Sequence, residues 1–73
     1  MEKRLLLILN KLLKKNNRSP LSAIRGEMDL REEFGFDSLD LAELTVLIES
    51  EFEVDIFEDG IVKNVQDILT RLG

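Results

Sequence analysis

The sequence predicts an all-α fold: a small four-helix bundle with a long ordered loop between its first and second helices and a short third helix. Three observations carry this. Apolar residues recur at helical spacing in separate stretches, and only four glycines and one proline interrupt the 73 residues. A content of 44% apolar and 34% charged residues is that of a folded, helix-rich chain rather than a disordered one. Residues 1–73 make a single domain. At that size only about 60–65% of the unfolded surface can be buried. A thin core leaves no room for a deep catalytic cleft.

Leu5, Ile8, Leu9, Leu12 and Leu13 follow the spacing of one helical face, with Lys3, Lys11, Lys14 and Lys15 between them, so the first helix spans residues 2–15. Its last cations suit the negative end of the helix dipole, and Asn16, Asn17, Ser19 and Pro20 end the pattern. The apolar run Leu5 to Leu9 is too short for a signal-peptide core, and no stretch reaches membrane-spanning length. No stable membrane association is therefore expected.

Residues 16–37 have no sustained period, yet Leu21, Ile24 and Met28 are spaced for a short helical turn, and Leu30, Phe34 and Phe36 are placed to pin the segment across the bundle. It reads as an ordered, packed loop. The second helix runs from Asp37 to Phe52, with Leu41, Leu44, Ile48 and Phe52 as its core stripe. Leu39, Ala42 and Val46 point the other way, interleaved with Glu43 and flanked by Asp40 and Glu49, while Leu47 lies at the border. Either the first helix or the loop covers this second stripe, or it is a docking surface framed by acids.

The alternation in "FEVDIFED", residues 52–59, imitates a strand with nothing to pair with, so it reads as an extended connector. Glu58 and Asp59 then open the short third helix through Ile61 and Val62. In the fourth, Asn64 is the N-cap with Asp67 three positions on, and Val65, Ile68, Leu69 and Leu72 are at helical spacing.

Several chemistries are excluded. With no His and no Cys, the chain supplies no histidine base, cysteine nucleophile, disulfide or Cys/His zinc site. An EF-hand loop starting at Asp55 would place Phe57 third and Gln66 twelfth, so two ligands fail. Neither a catalytic nor a metal site is expected. Charge is divided: residues 1–26 carry seven basic and one acidic side chain (+6), residues 27–73 three basic and fourteen acidic (−11). The acidic part repels nucleic-acid phosphates and attracts basic protein surfaces, and no aromatic residue lies among the cations of the first helix, so no nucleic-acid partner is expected.

The stretch "GFDSLD", residues 35–40, stands where the second helix begins. Asp37 or Ser38 caps the free N–H groups of the first turn, and Asp40 adds negative charge where the dipole favours it. If Asp37 is the cap, Ser38 is free to be modified, and a phosphate esterified there would lie beside unpaired N–H groups with its substituent in solvent.

"GFDSLDLAELTVLIESEFEVDI", residues 35–56, resembles the phosphopantetheine attachment region of acyl carrier proteins, and the likeness extends back through "DLREEFGF" and on to "VQDILTRL". The resemblance implies a four-helix carrier in which Ser38 bears 4′-phosphopantetheine, transferred from coenzyme A by a separate phosphopantetheinyl transferase. It implies a carrier, not an enzyme: a cytoplasmic monomer presenting acyl groups to acyl-transferring, condensing and acyl-modifying enzymes with basic docking surfaces. Asp37, Leu39, Asp40, Ala42, Glu43, Val46 and Glu49 match the family's partner-recognition surface, and Leu44, Leu47 and Ile48 face the interior, where an acyl chain would be sheltered. Ser50 in place of another acid, Phe57 in place of a common proline, a shortened segment between Ile56 and Val65 and the basic first helix depart from the usual fatty-acid carrier. They leave open a carrier for fatty acids, polyketides or specialised lipids, an aminoacyl or peptidyl carrier, and an unmodified carrier-like interaction module.

Overall fold

The computed structural model describes residues 2–58 and 60–73. It contains three helices, α1 (Glu2–Lys15), α2 (Ser38–Phe52) and α3 (Val65–Leu72), and no strand among the described residues beyond an isolated antiparallel bridge between Asp29 and Asn64.

The core stripe of α1 is the one its periodicity predicts: Leu5, Ile8, Leu9, Leu12 and Leu13 are all buried. Its end is set by Asn17, whose φ of 61° lies in the left-handed region that asparagine tolerates. The N–H of Arg18 reaches back to Leu13 O (2.8 Å) and that of Asn17 to Lys14 O (3.0 Å), the paired bonds of a Schellman motif. The chain turns there rather than at Pro20.

Residues 16–37 are anchored by apolar side chains: Met28, Leu30, Phe34 and Phe36 are buried, and Leu21 and Ile24 pack against the core. Asn10 clamps the start of this loop from α1, its amide donating to Leu21 O (2.9 Å) and accepting from Leu21 N–H (2.8 Å). The short helical turn expected around Leu21 to Met28 is a single turn, in which Met28 N–H donates to Arg25 O, and no helix follows. The backbone then joins the start of α3: Leu30 N–H donates to Lys63 O (2.9 Å), Val65 N–H to Met28 O (3.0 Å) and Gln66 N–H to Gly26 O (2.9 Å). Asp29 accepts from the N–H groups of Arg31 and Glu32, both at 2.8 Å, which starts the tight turn leading to Phe34. Gly35, at φ +72°, lets the chain reverse so that both flanking rings face inward. Phe34 and Phe36 stack with centroids 5.4 Å apart, both almost wholly buried.

The helices α1 and α2 run antiparallel, since Arg4 pairs with Glu51 while Lys15 pairs with Glu43. The Arg4 guanidinium also lies over the Phe52 ring, 4.8 Å from its centroid. Of the stripe expected in α2, Leu44 and Ile48 are fully buried, and Leu41 and Phe52 are half-buried against the core. Glu53, in the left-handed conformation at φ 59°, ends the helix with its N–H on Glu49 O.

One expected element is corrected. The short helix placed over Glu58 to Val62 is replaced, among the described residues, by two turns, Glu58 N–H to Asp55 O (3.3 Å) and Gly60 N–H to Phe57 O (3.2 Å); Asp59 lies outside the described residues. Two local features compete with a helix: the Asp55 carboxylate takes the Phe57 N–H (3.0 Å), and Gly60 sits at φ +121°. The described fold is thus three helices, with an irregular connector held by Arg71, which donates to Ile56 O (2.7 Å). Ile56 buries its side chain from this connector, as the extended reading of residues 52–59 requires, and Val62 is buried as well. Asn64 caps α3 with Asp67 as its reciprocal partner, both as expected from the sequence.

Candidate functional site

The start of α2 settles which residue caps it. Asp37 has extended backbone (φ −97°, ψ −173°), and its carboxylate accepts from Asp40 N–H at 2.9 Å, while Asp40 accepts from Asp37 N–H at 3.1 Å. Two acids therefore form a capping box, and Ser38 becomes the first helical residue, exposed and relieved of the capping task. A group esterified to its oxygen would meet solvent on one side and the first-turn N–H groups of Ser38 and Leu39, which a helix leaves without internal partners, on the other.

The expected docking residues do not all present themselves alike. Leu39 and Val46 are exposed at 75% and 65%, and Ala42 and Glu49 are also exposed, so these four form one solvent-facing stripe at i, i+3, i+7 and i+10. Neither α1 nor the loop covers it. Asp37 joins it at the Ser38 end. Asp40 and Glu43 are different: both are half-buried and turned toward α1, where Lys15 pairs with Glu43. Leu47 is half-buried at the α1 side, as its border position implies, and Leu44 and Ile48 are sealed in the core.

Asp40 is held below the ordinary aspartate value of 3.8, chiefly by the Asp37 N–H it accepts; burial opposes this, and the Asn16 side chain, the Asp37 side chain and the charge of Lys15 add smaller lowering effects. Depression of a folded-state pKa means that the carboxylate stabilises the fold fully above the unfolded value and that this contribution is lost as pH falls through the folded value. The loss therefore lies below about pH 4. Asp40→Asn keeps an acceptor for the Asp37 N–H but does not titrate, so its melting temperature should fall less steeply with acid than that of the parent. Circular-dichroism melts from neutral pH to about pH 2 check this, and parallel acid limbs would contradict it.

Two features escaped the sequence reading. Ile61 is 78% exposed and, with Leu41, Phe57 and Val62, lines a depression of about 530 Å³ whose rim carries Asp29, Arg31, Glu32 and Lys63. A lone apolar residue in an irregular segment leaves no periodic signal. Lys15 suits the helix dipole by its position alone, and its pairing across 28 positions has no local signature.

Comparison with known proteins bears on this geometry. The family model for the phosphopantetheine attachment site matches residues 3–72. The chain belongs to the acyl carrier protein family. It is similar to the acyl carrier protein of Phaeodactylum tricornutum, 43% identical over 53 residues that make up 70% of each chain. Against the acyl carrier protein of Trieres chinensis it is 40% identical over 50 residues, 66% of this chain and 62% of that one. Against acyl carrier protein 3 of Ralstonia nicotianae it is 40% identical over 55 residues, 73% and 63%. The match thus spans less than two thirds of the length of the last two relatives. No solved structure matches the chain. The family's proteins are carriers rather than catalysts, and its prosthetic group is covalently attached 4′-phosphopantetheine. An exposed hydroxyl on the first residue of a helix, with a neighbouring acid as cap, fits such a group. Among the described residues, no helix is long and apolar enough to cross a membrane.

Proposed function

We propose that this chain acts as an acyl carrier protein, with residues 1–73 forming one carrier domain and Ser38 as the residue that bears 4′-phosphopantetheine. The observation that carries the reading is the division of labour at the start of α2: Asp37 caps, and Ser38 stands exposed. A separate transferase installs the group from coenzyme A. When bound, the group supplies the thiol to which acyl chains are attached.

The chain's own residues present and position. Asp37 and Asp40 fix the first turn, the N–H groups of Ser38 and Leu39 favour the phosphate, and the helix dipole adds to that preference. The protein makes no bond itself; holding the arm beside a docked enzyme raises the local concentration of its cargo. Leu39, Ala42 and Val46, framed by Asp37 and Glu49, form the face that acyl-transferring, condensing and acyl-modifying enzymes with basic surfaces recognise. The depression beside Leu41, three residues on from Ser38, is a better shelter for the near end of an acyl chain than the closed interior around Leu44 and Ile48. We place the monomeric carrier in the cytoplasm, serving fatty-acid synthesis or a related pathway.

Incubating the protein with coenzyme A, Mg²⁺ and a broad-specificity phosphopantetheinyl transferase should add the mass of one phosphopantetheinyl group, localised by peptide mapping to Ser38. Failure of several such transferases to add it would favour an unmodified interaction module and overturn the assignment.

A further inference from the structure

Lys15, the last residue of α1, extends its ammonium to Glu43 Oε1 at 2.5 Å. Its side chain is 59% exposed and that of Glu43 35%, so the pair lies at the margin of the α2 face rather than beneath it. The placement is favoured twice, because the ammonium also stands at the negative end of the α1 dipole. Its charge reaches Asp40 as well, whose carboxylate is further engaged by the Asn16 side chain. Two of the four acids expected to attract partners are thus already met from α1, leaving Asp37 and Glu49 as the exposed acids bordering Leu39, Ala42 and Val46.

We infer that Lys15 is an internal occupant of the docking face and sets which partners it accepts: the surface fits a partner that brings a carboxylate for Lys15 beside its own cation for Glu43. This rests on the docking reading above. A uniformly basic surface has to expel Lys15 from Glu43, and the expelled ammonium, tethered at the end of α1, then stands beside the incoming cation. A mixed-charge surface exchanges one ion pair for two. The cationic first helix thereby acts on specificity, a role beyond the dipole.

The test uses the full-length apo protein as substrate of a transferase chosen for a basic docking surface, with coenzyme A and Mg²⁺. Lys15→Gln should lower the KM for the carrier by about 2–5-fold, the range an exposed ion pair allows, and steepen its rise with salt. Glu49→Lys should raise KM. Lys15→Met, which keeps the aliphatic stem, should repeat the Lys15→Gln result, and unchanged helical circular dichroism separates either effect from unfolding. An unchanged or raised KM in both Lys15 variants, with Glu49→Lys still impaired, overturns this inference and leaves the docking face standing. If Glu49→Lys is also without effect, the docking face falls with it, and if neither this nor several other transferases load the parent the carrier reading falls too.

Discussion

Ser38→Ala should abolish covalent loading and leave the melting temperature within about 2–4 °C of the parent, the shift expected of an exposed substitution in a domain of this size. Both halves follow from the same geometry. The oxygen removed is the only side-chain heteroatom at the first position of α2, and the adjacent acids, Asp37 and Asp40, accept hydrogen bonds without being suited to form a stable phosphodiester. Alanine is also the better helix former, so the first turn loses nothing that Asp37 does not already supply. Intact-mass measurement after treatment with coenzyme A and transferase, paired with a thermal melt, reads the two outcomes together. A full adduct on the variant would move the attachment point elsewhere, and a large fall in melting temperature would mean that Ser38, not Asp37, holds the helix start.

How much of this was legible beforehand depends on whether a signal is local. The stripe of α1 and the capping pair Asn64 and Asp67 are written at fixed spacings within one element, and the structure places them as expected. At the start of α2 the sequence allowed either Asp37 or Ser38 as cap, because both have suitable oxygens; the extended backbone of Asp37 decides between them. Leu39 and Val46 were readable as an apolar set opposite the core, but only the positions of α1 and the loop show it uncovered. The connector after α2 misled for a physical reason. Acids ahead of Ile61 and Val62 look like a helix start, whereas the Asp55 side chain and the left-handed Gly60 hold the backbone in turns. The bonds of Leu30 to Lys63 and Val65 to Met28 join segments far apart in sequence and have no local trace at all.

The largest effect on stability is expected in the loop, not in a helix. Phe34→Ala removes a ring that is 1% exposed and stacked on Phe36, with Leu13 and Leu21 beside it along the α1 side. Truncating a buried phenylalanine costs about 3–5 kcal/mol. A chain of this length has roughly 4–11 kcal/mol to lose, so the variant should be largely unfolded or melt far below the parent. Four buried core residues, Met28, Leu30, Phe34 and Phe36, come from this irregular segment, and the backbone bonds to α3 depend on its being in place. Its other end delivers Asp37 to the start of α2, so the damage should reach the site: Phe34→Ala should also load slowly, because Ser38 loses the rigid turn that presents it. Leu39→Ala is the matched control, a comparable apolar truncation at an exposed position that should change stability by less than about 0.5 kcal/mol. Urea unfolding of the three proteins distinguishes a packed loop from a linker. If Phe34→Ala cost no more than Leu39→Ala, the aromatic pair would be peripheral, and the serine would owe its position to α2 alone.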